Sequence, residues 1–320
     1  MKRLVVLVVA LVAGGLSACG YDDTVVPRAD DPAATSAPPA TARPCDNDGT
    51  QLRSYDPASG SVDGPGVRSV EERGRLVAGV AADTLLLGAR NPARNQIEGF
   101  DIDLVYAIAD EIFPESGRAE LDRANRVELR VITAAQRIPL LQDGTIDVVA
   151  RNMTITCLRW QDIAFSEVYY NAGQKVLVGR DSGVRGISDL GGKRICAPAG
   201  TTTVDNLREV APDALVLTAA NISACMILFQ NGEADGVSSD DTVLAGLAAQ
   251  DPYAEVLDTD TLSQEPYGIG VSQDHVDLVR LVNRVLEEMR ADGRWKASYD
   301  TWLKPQLKVA GVQPRPVYGR

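Results

Sequence analysis

One histidine stands in the whole chain, His275, and its setting limits the reactions the chain could catalyse. A serine–histidine–aspartate triad would have to use it. It lies in Gln273-Asp274-His275-Val276-Asp277, which reads as the polar start of a surface helix. No G-x-S-x-G, P-loop, H-E-x-x-H or G-x-G-x-x-G motif is present. Carboxylate pairs occur at Asp240–Asp241 and at Asp101/Asp103. Adjacent carboxylates are common on solvated faces, so they are weak evidence for glycoside hydrolysis. No two cysteines have C-x-x-C spacing, which with a single histidine disfavours a structural zinc site. These residues point to no enzyme, no metal and no cofactor.

The ends and the totals suggest an address. Lys2 and Arg3 precede Leu4 to Leu16, a run without charge that is shorter than the ~20 apolar residues needed to span a bilayer. It fits the apolar region of a secretory signal over residues 1–18. The run ends in Leu16-Ser17-Ala18-Cys19, which resembles the lipobox of bacterial lipoproteins. That likeness implies cleavage before Cys19 and a lipid anchor on its thiol, at the extracytoplasmic face of the cell membrane. Residues 19–48 carry Pro27, Pro32, Pro38, Pro39 and Pro44 among Ala and Thr, and read as a tether that cannot bury a core. Residues 49–74 form an N-terminal arm, with a helical turn expected at Val67 to Arg73. The remaining chain is long for one core and suits two lobes. A net charge of -12 offers no basic footprint for nucleic acid. Four cysteines remain after Cys19, and an even number in an exported chain suggests two disulfides, for which three pairings exist. The preferred pairing is Cys196–Cys225, on a strand and the helix after it, with Cys45–Cys157 tying the arm to the other lobe.

From Arg75 onward, short β-branched runs alternate with amphipathic helices. Strands are expected at 76–80, 127–132, 146–150, 175–178, 193–197, 214–218, 234–238 and 267–271. Helices are expected at 100–113, 137–142, 202–210, 222–230, 241–249 and 276–289, the last ending near Gly293. Such alternation implies an α/β fold with largely parallel sheets, in which ligands sit at the carboxyl ends of strands.

Five segments carry a more specific signal. They are Gly99-Phe100-Asp101-Ile102-Asp103-Leu104; Thr154-Ile155-Thr156-Cys157-Leu158-Arg159 followed by Ala164 to Tyr170; Gly200-Thr201-Thr202-Thr203; Ala234 to Thr242; and Tyr267-Gly268-Ile269-Gly270-Val271. In this order, across about residues 71–304, they resemble the family 3 solute-binding proteins that feed polar amino acids to ABC transporters. The nearest likeness is to actinobacterial glutamate/glutamine-binding lipoproteins, which share the placement of Cys196 and Cys225. The resemblance implies a two-lobe, periplasmic-binding-protein-like clamp of type II, each lobe a mainly parallel sheet flanked by helices. Lobe 1 would comprise 75–172 plus 262–304, lobe 2 173–261, and a C-terminal tail 305–320. The crossings would fall near Tyr170–Gln174 and Thr259–Gln264.

The same resemblance assigns the ligand contacts. Arg159 matches the guanidinium that holds the α-carboxylate, a role suited to its planar fork. Thr154 matches a position supplying hydroxyl and backbone bonds. Thr201 and Thr202 fall at a helix N-terminus that favours an anion. Asp240 matches the carboxylate for the ammonium, and Asn152 a position whose carbonyl also faces it. Taken alone, Arg159 would read as a surface ion pair and Asp240 as a helix N-cap. Arg137, in Arg137-Ile138-Pro139-Leu140-Leu141-Gln142, looks like the residue facing the distal carboxylate in glutamate/aspartate binders; its bland alternative is capping or pairing on the lobe surface. Arg151 is a further cation, and two cations beside Arg159 repel unless an anion neutralises them. An acidic ligand, glutamate or aspartate, is therefore expected ahead of glutamine or asparagine. Relatives place an aromatic residue where this chain has Asp83-Thr84-Leu85-Leu86-Leu87, so Asp83 and Leu86 are expected at the ligand instead. The expected partner is an ABC permease, with the protein a monomer. Two rivals are a sensor whose closure is read by a membrane receptor, and an enzyme on the same fold related to the cyclohexadienyl dehydratases, which lacks a pocket histidine here.

Overall fold

A computed structural model of the chain describes residues 45–114 and 125–320; the signal segment, Cys19 and the tether as far as residue 44 lie outside the described residues. Two larger sheets organise the rest. The first runs in the order Val127–Val131, Leu76–Val80, Val148–Val149, Gly270–Val271, Ala164–Phe165. The second runs Leu215–Ala219, Arg194–Pro198, Gly236–Asp240, Tyr170–Gly179, Ala254–Val256. In each, the first three strands are parallel and the later pairings antiparallel. The sheets are thus mixed rather than mainly parallel. A helical crossover forces parallel pairing. Tyr170–Gly179 and Gly270–Val271 instead enter their sheets directly from the segments that cross between lobes.

Those crossings form a ribbon. The strand Gln264–Tyr267 pairs antiparallel with the start of Tyr170–Gly179, from Gln264 opposite Gly173 to Tyr267 opposite Tyr170. The single strand expected at 267–271 is therefore two, one in the ribbon and one in the first sheet. The strand expected at 146–150 is reduced to Val148–Val149, because Arg151 and Asn152 turn away, with Asn152 at φ 35°.

Local chemistry explains the elements that frame the cleft. Leu76–Val80 is buried at every position, as suits a strand covered on both faces. The helix Phe100–Ile112 starts after Gly99, whose φ is 144° and where a Cβ would meet Leu87 O at 2.4 Å. Only glycine fits that approach. Phe100 then anchors an aromatic cluster with Tyr169, Tyr170, Trp295 and Tyr299, which joins the C-terminal helix Arg294–Trp302 to the helix Phe100–Ile112 and to the crossing at Tyr169–Tyr170. His275 stands at the N-cap of Val276–Asp292, away from the cleft.

The arm is more ordered than its composition suggests. Its helix, Pro65–Arg73, is longer than the expected turn and ends on Gly74 at φ 76°. Asp277 Oδ2 accepts from Val67 N at 2.9 Å and so caps it from another helix. Cys45 is bonded to Cys157 and Cys196 to Cys225, with Cα separations of 5.7 and 5.4 Å. Among the described residues, no helix is long and apolar enough to cross a membrane.

Candidate binding site

Eight of the ten expected ligand contacts line one cavity between the sheets: Arg137, Arg151, Asn152, Thr154, Arg159, Thr201, Thr202 and Asp240. The lobe 1 contacts come from chain just past a strand or at a short helix. Arg137 opens the helix Arg137–Gln142, entered through a Thr133/Gln136 capping box. Arg151, Asn152 and Thr154 follow the carboxyl end of Val148–Val149. Arg159 rides on Cys157–Trp160, where Thr156 Oγ1 accepts from Arg159 N at 3.2 Å. The lobe 2 contacts stand where strands give way to helices. Thr201 stands at the N-cap position of Thr202–Val210, and Asp240 ends Gly236–Asp240 at the N-cap position of Asp241–Gln250, neither side chain bonding the helix it precedes.

The lobes touch across this cavity. Arg137 Nη2 donates to Gly200 O at 3.1 Å, and Arg159 Nη2 reaches the same carbonyl at 3.5 Å. Gly200 has φ 76°, and a Cβ there would lie 2.8 Å from Ala135 Cα, so glycine is what lets the rims meet.

The three arginines have different surroundings. Arg137, 2 % exposed, points its donors at backbone carbonyls, with Nε on Ala134 O at 2.9 Å and Nη1 on Arg151 O at 3.3 Å. Burial, then repulsion from Arg159 and Arg151, holds its pKa well below the usual arginine value. Arg159 Nη1 donates to Thr154 O at 2.6 Å. Its pKa is lowered by burial and partly restored by Glu265 and Asp240. Arg151 is 5 % exposed, and its Nε has no partner among the described residues. Burial lowers its pKa too, against the attraction of Asp83 and Asp101.

Asp240 lines the same cavity and attracts Arg137 and Arg159. Tyr267 Oη donates to its Oδ2 at 2.5 Å, while among the described residues no donor reaches Oδ1 within hydrogen-bonding geometry, although the Asn152 amide lies near enough to favour the ionised form. Burial, then the Glu265 charge, pushes its pKa up to about 7. A buried carboxylate with an open acceptor position can take a cationic donor.

Two expected contacts fall elsewhere. Leu86 sits in the apolar core at φ 79°, so Thr84, two residues earlier, lines the cavity in its place. Asp83 is outside the lining, and its Oδ2 accepts from Ser223 N at 3.4 Å. Two carboxylates were not anticipated in any role. Asp101 accepts from Asn152 N and Tyr169 Oη, both at 2.9 Å, and burial pushes its pKa up to about 6. Glu265 joins both lobes through Thr154 and Thr202. Because both lie among the arginines, the cations are already partly neutralised by the protein, and charge excess alone no longer argues for an acidic ligand. A sequence signal for Glu265 existed: it shares a strand face with Tyr267, and a Glu in register with a buried aromatic is unusual.

Residues 76–305 match the bacterial extracellular solute-binding proteins, family 3. A glutamine-binding protein of Geobacillus stearothermophilus is 36% identical, covering 72% of this chain and 86% of that protein. The ABC transporter glutamine-binding protein GlnH of Bacillus subtilis is 35% identical, covering 74% and 84%. The glutamate-binding protein GluB of Corynebacterium efficiens is 29% identical, covering 74% and 81%, less similar than either glutamine binder, so the expected special likeness to actinobacterial proteins does not hold. Among solved structures, an ancestral arginine-binding protein bound to glutamine superposes with a TM-score of 0.64 at 32% identity, covering 72% of this chain and 98% of that one. The two-lobe clamp and the match are those of a solute binder without catalytic activity.

Proposed function

Since this chain belongs to the bacterial extracellular solute-binding proteins, family 3, over residues 76–305, we propose that it binds an acidic amino acid, glutamate or aspartate, between its lobes and delivers it to an ABC permease. Binding of an amino acid outside the cytoplasm for ABC uptake is the function its family and relatives support. The acidic preference rests on one observation, the buried Arg151 guanidinium that faces the cavity with its Nε unpartnered. A buried donor left unmade costs more than the same donor exposed, and a distal carboxylate meets a guanidinium fork best. In this reading Arg159 and backbone N–H groups at Thr201 and Thr202 hold the α-carboxylate, Asp240 and the Asn152 carbonyl hold the ammonium, and Arg151 reads the side chain. Arg137, spent on carbonyls, shapes the rim.

Glutamine is the second reading, because the relatives at 36% and 35% identity bear that name and an amide oxygen also accepts from Arg151. Thermal shift and calorimetry with glutamate, aspartate, glutamine, asparagine and arginine separate the readings. A ligand at a hundred times its dissociation constant adds ~2.7 kcal/mol to the native state. Glutamate or aspartate should stabilise the wild type, and Arg151→Met should remove that preference by tenfold or more. Stabilisation by glutamine with none by glutamate overturns the acidic assignment. The lipobox-like Leu16-Ser17-Ala18-Cys19 supports an anchor at Cys19. Labelling with a fatty-acid analogue should mark the wild type and not Cys19→Ser.

A further inference from the structure

Glu265 lies on the return strand Gln264–Tyr267 of the ribbon joining the lobes and is 1 % exposed. Its Oε2 accepts from Thr154 Oγ1 at 2.5 Å and Thr202 Oγ1 at 2.7 Å. Its Oε1 accepts from Ser263 Oγ at 2.5 Å and Asn206 Nδ2 at 2.8 Å. One carboxylate thus holds lobe 1 through Thr154, lobe 2 through Thr202 and Asn206, and the ribbon through Ser263. Thr154 is tied to the same strand by a bridge to Tyr267. Thr202 and Asn206 ride on the lobe 2 helix Thr202–Val210, so their bonds to Glu265 report the position of that lobe.

The donors also carry a proton count. A threonine hydroxyl has one proton, and an ionised carboxylate only accepts. With both protons on Glu265, the Thr154 and Thr202 hydroxyls offer the cavity lone pairs alone. They can accept from an ammonium or a side-chain N–H and cannot donate to a carboxylate, which is left to Arg159 and backbone N–H groups.

We propose that Glu265 is a positioning residue that latches the closed clamp and turns the Thr154 and Thr202 hydroxyls into acceptors for the ligand's N–H groups. This rests on the amino-acid-binding reading. A latch raises apparent affinity by raising the fraction of binding-competent protein. Glutamine in its place either turns its amide nitrogen toward Asn206 Nδ2 and loses that bond, or donates to the two threonine hydroxyls and frees their protons toward the cavity.

The test uses the purified full chain, with glutamate and glutamine as probes, calorimetry for affinity and small-angle X-ray scattering for closure. Glu265→Gln should bind whichever probe the wild type binds at least tenfold more weakly, and should keep a larger radius of gyration at saturation. Asn206→Ala removes one donor to Oε1 from outside the cavity lining. It should weaken binding about threefold and add little in the Glu265→Gln background, since both act on one contact. Wild-type affinity in Glu265→Gln, or additive losses in the pair, overturns the latch. If Glu265→Gln does not fold, Asn206→Ala and Ser263→Ala carry the same test, and wild-type affinity in both overturns it. If the wild type binds neither probe, the amino-acid reading fails; the scattering comparison then decides the latch, and equal radii overturn it.

Discussion

Asp240 in the cleft and Glu167 beneath the C-terminal tail are both buried carboxylates, and in both burial is the main reason the pKa is pushed up to about 7. Their surroundings are opposite. Glu167 pairs with Arg290, accepts from Tyr318 Oη at 2.9 Å, and has its own N–H on Asn283 Oδ1 at 2.7 Å. Arg290 reaches on to Pro314 O, and Ser54 N to Val317 O, so the network straps the arm and tail to lobe 1. Asp240 has Tyr267 on one oxygen and, among the described residues, no bonded donor on the other, with a cavity in front of it. A raised pKa therefore does not by itself distinguish a fastening from a binding site. The difference is whether the partners are all supplied by the protein or one position is left for a ligand.

The largest break in this comparison should come from Arg159→Ala. Losing a partly buried guanidinium that meets the ligand carboxylate should cost about 3–4 kcal/mol of affinity, several hundredfold by calorimetry. A loss below tenfold would make Arg159 a fastening residue like Arg290. Glu167→Ala should act on the other region alone. It removes the charge partner of a partly buried Arg290, leaving it Pro314 O, and leaves Tyr318 Oη with Glu287 alone, and should lower stability by about 2–3 kcal/mol in urea titration, with ligand affinity unchanged. Lost affinity at unaltered stability would place Glu167 in the binding apparatus and dissolve the distinction.

The smallest effect sharpens it through pH. Asp101, Glu167 and Asp240 have folded pKa values raised to between about 6 and about 7. Between the unfolded values near 4 and those folded values, the folded chain holds protons the unfolded chain has released. Unliganded stability should therefore fall as pH rises from about 4 through 7. Asp240→Asn should recover on the order of 1 kcal/mol at pH 8. Ligand affinity should rise through pH 7 in the wild type as Asp240 ionises toward the ammonium, and should lie flat in Asp240→Asn. A parallel rise in both proteins would remove Asp240 from the ammonium contact.

Much of the fold was legible. The helices Arg137–Gln142, Thr202–Val210 and Ile222–Gln230 have the bounds their periodicity suggested. Apolar periodicity is a local record of which face is buried, so it survives in the sequence. The strand Tyr170–Gly179 was seen only in its second half, because its first half is buried by the ribbon and the aromatic cluster. At the site, Arg159, Asp240 and Thr154 came into view through motif resemblance, since taken alone each has a commoner surface or capping role. Asp101 was inside a quoted motif, but nothing local tells that its carboxylate turns back to Asn152.

By itself the sequence determined most of the longer helices and the parallel strands, and which motif residues follow the ends of strands. The tertiary structure alone decided their partners. Glu265 meets Thr202 across a separation of 63 residues and Thr154 across 111. Pairing at that range is selected by how two lobes close on each other, and no local pattern of size, charge or period records it.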